Sequence, residues 1–305
     1  MRQKKLIANW KNNADYVSIK KFVNQFSEIE EVETIVCPSY MGLLPTLNLT
    51  AKKLIKVCAQ NAHINSLGSH TGLTSWIELK DYGIKMCFVG HPDVRRDFGE
   101  SYFQSNLKIK KLLRNGFKVV VFIEESKTDF AKDITKEALK LQMNQLFDGI
   151  NSIDITENLY LVYRPTFVSD LGVRINPEFI TDSIKLIRNF LREKFGFFVG
   201  NNLPILYGGE LLSEDIETIC KDENNDGLLI DDERSISYKF MSLVSKFLYA
   251  ATTDNYLKFY ESNLVIEEPT EVKRVQTQNT IPNFDEYDID PEIYFNEISL
   301  TEEEI

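Results

Sequence analysis

The sequence predicts an α/β chain, a (β/α)8 barrel carrying an extended acidic tail, and two patterns carry that prediction. Short apolar runs ending near residues 9, 37, 59, 90, 122, 163, 207 and 230 each precede a longer segment. Eight strand-then-helix units in about 250 residues is the pattern of a closed parallel barrel. The runs are also continuously apolar rather than alternating, as parallel strands buried on both faces require.

Taken in order, the first strand is expected to end at Asn9, the second at Cys37 and the third at Ala59. The fourth runs through Phe88-Val89 to Gly90, and Val119-Val120-Val121-Phe122-Ile123 forms the fifth. Leu159 to Tyr163 is the sixth, Leu206-Tyr207 the seventh and Leu228-Leu229-Ile230 the eighth. The intervening segments have helical spacing, as in Asp182 to Leu191, where Ile184, Leu186, Ile187 and Phe190 recur along one side.

With 305 residues and 43% hydrophobic content the chain is long enough to bury a full core. It contains no apolar run of membrane-spanning length, so no membrane insertion is expected. The N-terminus leads straight into the first strand without a signal peptide, which makes the cytoplasm the expected location. Four scattered cysteines, Cys37, Cys58, Cys87 and Cys220, show neither a disulfide framework nor metal spacing and read as buried thiols. Only three histidines are present, His63, His70 and His91, none at ligand spacing, so no metal or other cofactor is implied. The acidic stretch Asp222 to Gly227 lacks the spaced ligands and terminal Glu of a calcium loop and reads as a solvated turn.

Charge divides the chain. From Val265 to Ile305 there are 12 acidic residues against Lys273 and Arg274, a net of −10 out of −11. We therefore expect a barrel over residues 1–253 and a separate extension over 254–305. Such a segment cannot bury enough apolar surface to order itself. Phe284, Tyr287, Tyr294 and Phe295 are nevertheless interleaved with the acids, a pattern suited to docking on a protein partner. The alternative is a tail that lies against its own barrel or moves freely. Nucleic acid is excluded as a partner, since phosphates would repel the tail.

Motifs spaced along residues 4 to 250 resemble the triosephosphate isomerase family. Ala8-Asn9-Trp10-Lys11 is similar to the end of its first strand, Gly90-His91 to the end of its fourth, Tyr207-Gly208-Gly209 to its seventh-strand turn, and Gly68 to Ser75 to its long interface loop. The resemblance implies a TIM barrel in which Lys11 and Asn9 line the site and His91 polarises a substrate carbonyl. It implies too that Gln60, Asn61, Thr71 and Gly72 belong to a homodimer interface. Without the resemblance, a lone histidine after a strand is more often structural, Lys11 passes for a surface charge, and the interface residues read as loop stabilisers.

The departures fall on the chemistry. In Tyr163-Arg164-Pro165-Thr166-Phe167, Arg164 stands where the family carries its general base, a glutamate. A permanently protonated group cannot accept the proton, which costs about a hundred- to ten-thousand-fold in rate. Glu125 and Asp170 are the nearby acids in sequence, and neither is expected to substitute. The loop after the sixth strand has Asp170 and only Gly172 of a glycine pair. Glu210 replaces a serine and Asp231-Asp232 replace the glycines whose amides cradle phosphate, so acids stand where a phosphate would sit. Pro92 removes a backbone donor beside His91, and Val94 removes a buried cation.

Three functions follow. The first is a catalytically inactive relative acting as a structural or regulatory subunit of a multi-subunit cytoplasmic assembly, through its barrel surface and acidic tail. The second is genuine triose-phosphate isomerisation in glycolysis. The third is a different barrel binding a small anion through Arg164, Lys11 and His91.

Overall fold

A computed structural model describes residues 2–155, 158–166, 176–211 and 215–252. Eight parallel strands are present: β1 (Lys4–Asn9), β2 (Val32–Cys37), β3 (Ile55–Val57), β4 (Met86–Val89), β5 (Lys118–Glu125), β6 (Leu159–Pro165), β7 (Ile205–Tyr207) and β8 (Gly227–Ile230). Their order in the sheet is β3-β2-β1-β8-β7-β6-β5-β4. A parallel bridge between Ala59 and Cys87 joins the two outermost strands and closes the barrel. The expected strand ends agree to within three residues, the largest difference being β5, which continues to Glu125.

Alternate side chains along the strands fill the interior. Ile7, Ile35, Cys37, Phe88, Val120, Phe122, Val162, Leu206 and Leu229 form one cluster of fully or almost fully buried residues. The other strand faces are covered by helices such as Tyr102–Arg114 and Pro177–Phe195. The first of these begins with a capping box, Ser101 accepting from the Gln104 N–H while the Gln104 side chain accepts from the Ser101 N–H. All four cysteines are buried and reduced, and burial raises the thiols of Cys58, Cys87 and Cys220.

The Asp222 to Gly227 stretch is a turn, but not a solvated one. Asn225 and Asp226 are buried, and the Asp226 carboxylate pairs with Arg188 at 2.6 Å and Arg2 at 2.5 Å while accepting from the Ile205 N–H. The carboxylate is thus used internally to fix the N-terminal ends of β7 and β8. Among the described residues no acid, histidine or cysteine cluster is arranged for a metal ion, and no helix is long and apolar enough to cross a membrane. Residues 253–305, including the acidic extension, lie outside the described residues.

Candidate active site at the C-terminal mouth

Because all eight strands are parallel, their C-terminal ends meet at one mouth, where residues from distant parts of the sequence converge. Asn9 ends β1, and Lys11 follows with φ +47°, a left-handed backbone that a lysine adopts only when its surroundings impose it. They do so here: the Gln60 side chain donates to the Lys11 carbonyl at 2.8 Å and to the Cys37 carbonyl at 3.0 Å, and the Lys11 N–H donates to Asn9 Oδ1. The Asn9 carbonyl in turn accepts from the Ser235 hydroxyl beyond β8.

His91 caps the helix Pro92–Phe98, its Nδ1 accepting from the Asp93 N–H at 3.1 Å. In the neutral ring the proton therefore sits on Nε2, which lies 3.3 Å from the Asn9 amide and 3.8 Å from Asp231 Oδ2. Burial against Phe122 and Phe88 depresses the imidazole to about 4, with Arg164 and Lys11 lowering it further and Asp93 and Asp231 opposing. The ring is consequently neutral at physiological pH. Pro92 removes nothing that this cap needs. It occupies the first helical position, where the missing N–H has no partner to lose, and the donor to the imidazole comes from Asp93. A buried cation is present too, one residue beyond Val94: the Arg95 guanidinium stacks on Tyr102 and donates to the Gly90 and Glu100 carbonyls.

The two substitutions that looked like separate losses meet in space. Arg164 Nη1 lies 2.5 Å from Asp231 Oδ2 and donates to the Gly208 carbonyl at 2.7 Å. The same carboxylate oxygen is 3.2 Å from Lys11 Nζ, and Lys11 also pairs with Asp93 at 3.0 Å. Arg164 and Asp231 are mostly buried, at 15% and 13% side-chain exposure, so this pairing is shielded from bulk water. Asp93 is held below the usual carboxylate range: burial opposes this, but His91 and Lys11 outweigh it. A carboxylate just beyond β8 has thus taken up both the arginine of β6 and the lysine that follows β1.

The remaining acids separate from this network. Asp232 caps the turn Glu233–Ile236 and pairs with Arg234, so it does not line the mouth with Asp231. Glu210 is exposed, and its carbonyl accepts from the Tyr207 hydroxyl. Glu125 is fully buried and accepts from Tyr163 at 2.7 Å and from Thr135; burial raises its carboxyl against these hydrogen bonds. It is sealed behind β6 and is not available as a base. Asp170 and Gly172 lie outside the described residues.

A cavity of about 260 Å³ remains beside the network, lined by Asn9, Lys11, Gln60, His91 and Asp93 among others. Asp93 was missed in the sequence; its position two residues after the histidine, at the start of a helix, was the available signal. The interface residues divide in two. Gln60 and Asn61 are used within their own barrel, Asn61 accepting from Lys108 at 2.8 Å, whereas Thr71 and Gly72 lie at the exposed tip of a loop whose base is tied by His63 to Thr74.

The family model for triosephosphate isomerase matches residues 4–247. The chain belongs to the triosephosphate isomerase family. A relative of that name from Thermodesulfovibrio yellowstonii is 31% identical over 248 residues, 80% of this chain and 99% of the relative. Others from Mycoplasma genitalium, at 29%, and Leptospira interrogans, at 31%, each align with 75% of this chain and cover 93% and 94% of their own lengths. In triosephosphate isomerase a carboxylate removes a proton, a neutral histidine polarises the carbonyl and a closing loop excludes water. Here the neutral histidine is in place, and an arginine occupies the sixth-strand position at which the resemblance puts the carboxylate.

Proposed function

We propose that this chain is a non-catalytic member of the triosephosphate isomerase family that serves as a structural or regulatory subunit of a cytoplasmic protein assembly, through its barrel surface and its acidic C-terminal segment. The observation that carries the reading is the Arg164–Asp231 contact of 2.5 Å. A base must have a free lone pair aimed at the substrate proton. Of the described carboxylates at the mouth, Asp231 is paired with Arg164 and Lys11 and Asp93 with Lys11, and Asp231 faces His91 from the place where an anionic substrate group would be received. Retention of the barrel beside this altered mouth, together with a tail of net charge −10, supports a role exerted through surfaces. A homodimer built on the loop of Thr71 and Gly72 belongs to the same proposal.

The test is purification of the full chain at native expression level, with its native mass measured. A stable complex with another protein, lost when residues 254–305 are deleted, is the expected result. A single free species whether or not the segment is present would overturn the assembly role. A second reading, interconversion of dihydroxyacetone phosphate and glyceraldehyde 3-phosphate, is favoured by the similarity to triosephosphate isomerases and by the retained Lys11 and neutral His91. An activity measurement separates the two.

A further inference from the structure

At the opposite end of the barrel, the seam between β3 and β4 is held by the single bridge Ala59–Cys87 near its C-terminal end. Toward the N-terminal end the seam opens into a cavity of about 380 Å³. Its walls are apolar, with Leu47 from the helix Tyr40–Thr50, Ile55 and Val57 from β3 and Met86 from β4, and its rim carries Lys56, Lys85 and Lys118. Among the described residues no acidic one lines it.

The charges around it are unbalanced. Lys5, Lys56 and Lys118 all converge on one buried carboxylate, Glu33, with Lys5 at 2.7 Å, Lys56 in direct contact and Lys118 at 3.9 Å. Glu33 also accepts from the Tyr160 hydroxyl at 3.2 Å through both oxygens. Among the described residues three ammonium groups share one carboxylate, an excess of positive charge to which Lys85 on the opposite lip adds. Lys118 is accordingly held below the usual lysine range, by burial first and then by Lys56 and Lys5, although Glu33 opposes this.

From the cavity and its rim we propose that this seam binds a small organic anion, its acid group between Lys85, Lys118 and Lys56 and its apolar body against Leu47, Ile55, Val57 and Met86. An anionic head supplies the countercharge, and the apolar walls take the ligand's methylenes out of water. Neither part suffices alone. Inorganic phosphate meets the charge but not the walls, and an alkylammonium of equal length meets the walls but is repelled at the rim. The site is on the other face from the mouth, so it stands or falls independently of any activity there.

The test uses the full chain with labelled methyl groups, titrated separately with hexanoate, inorganic phosphate and hexylammonium. Saturable shifts at Leu47, Ile55 and Met86 with hexanoate are expected, with phosphate at least tenfold weaker and hexylammonium without saturable effect. The double variant Lys85→Gln/Lys118→Gln should weaken hexanoate at least tenfold. Should that variant misfold, Lys85→Glu alters only an exposed rim position and should abolish binding while leaving the fold intact. Absent hexanoate shifts, undiminished binding in these variants, phosphate binding as tightly as hexanoate, or equal binding of hexylammonium would each overturn the proposal.

Discussion

Replacing Asp231 by Asn removes the charge on which Arg164 and Lys11 converge. At an effective dielectric near 20, contacts of 2.5 and 3.2 Å correspond to attractions of about 7 and 5 kcal/mol before desolvation is counted. Desolvation and the mutual repulsion of the two cations oppose most of this. With 13 to 15% of the Asp231 and Arg164 side chains exposed, the net coupling should be about 2 kcal/mol. In a barrel of this size that lowers the melting temperature by about 4 to 8 °C. The assay is a double-mutant cycle of Asp231→Asn, Arg164→Gln and the pair, followed by thermal or urea unfolding. Each single variant leaves a charge without its partner, so the pair should be more stable than the sum of the single losses predicts. A coupling below about 0.5 kcal/mol would show that the contact is incidental and that the mouth is not held by it.

Three further outcomes follow from burial and geometry. His91 has a folded value of about 4 against 6.5 when unfolded, so the unfolded chain binds the extra proton and stability rises with pH across that window. Its contribution at pH 4 is a loss of about 3 kcal/mol relative to neutral pH, and a His91→Gln variant should flatten that part of a stability profile, whereas an unchanged slope would rule out a buried neutral ring. Asp226→Asn leaves the fully buried Arg188 without its counter-ion and should cost about 3 to 5 kcal/mol in urea unfolding; a loss under 1 would refute the pairing. Gly227→Ala places a Cβ 1.9 Å from the Lys5 carbonyl oxygen, so β1 and β8 must separate and soluble yield should collapse; a folded variant of wild-type melting temperature would contradict the register.

Most of the barrel was legible because its strands are buried on both faces, and that burial writes continuous apolar runs such as Val119 to Ile123 into the chain. Strand ends were less so. The fifth strand continues through Glu124 and Glu125, whose acidity masks a strand that is paired residue by residue with Arg164 and Pro165. At the site, Lys11, His91 and Arg164 could be placed from local motifs. The partnership of Arg164 with Asp231 could not, because it depends on barrel closure bringing the ends of β6 and β8 to the same mouth. Read singly, an arginine for a base and an aspartate for a glycine are two losses; in the fold they are one compensated ion pair. Pro92 gives the same lesson in miniature, since only the cap geometry reveals that the donor to the imidazole belongs to Asp93. The acid stretch at Asp222 to Gly227 looked solvated from composition, whereas Arg188, remote in sequence, draws Asp226 inward.

The central claim is that the mouth retains a neutral histidine while its described carboxylates, Asp231 and Asp93, are held in ion pairs rather than free to serve as base. Its most direct test is the initial rate at which the purified full chain consumes glyceraldehyde 3-phosphate in a coupled assay, measured beside the double variant Arg164→Glu/Asp231→Gly. The account predicts no turnover by the unaltered chain above the uncatalysed background, with any activity appearing only in the variant. Turnover by the unaltered chain at an ordinary enzymatic rate, of order 10 per second or more, would contradict it and require another group to take the proton.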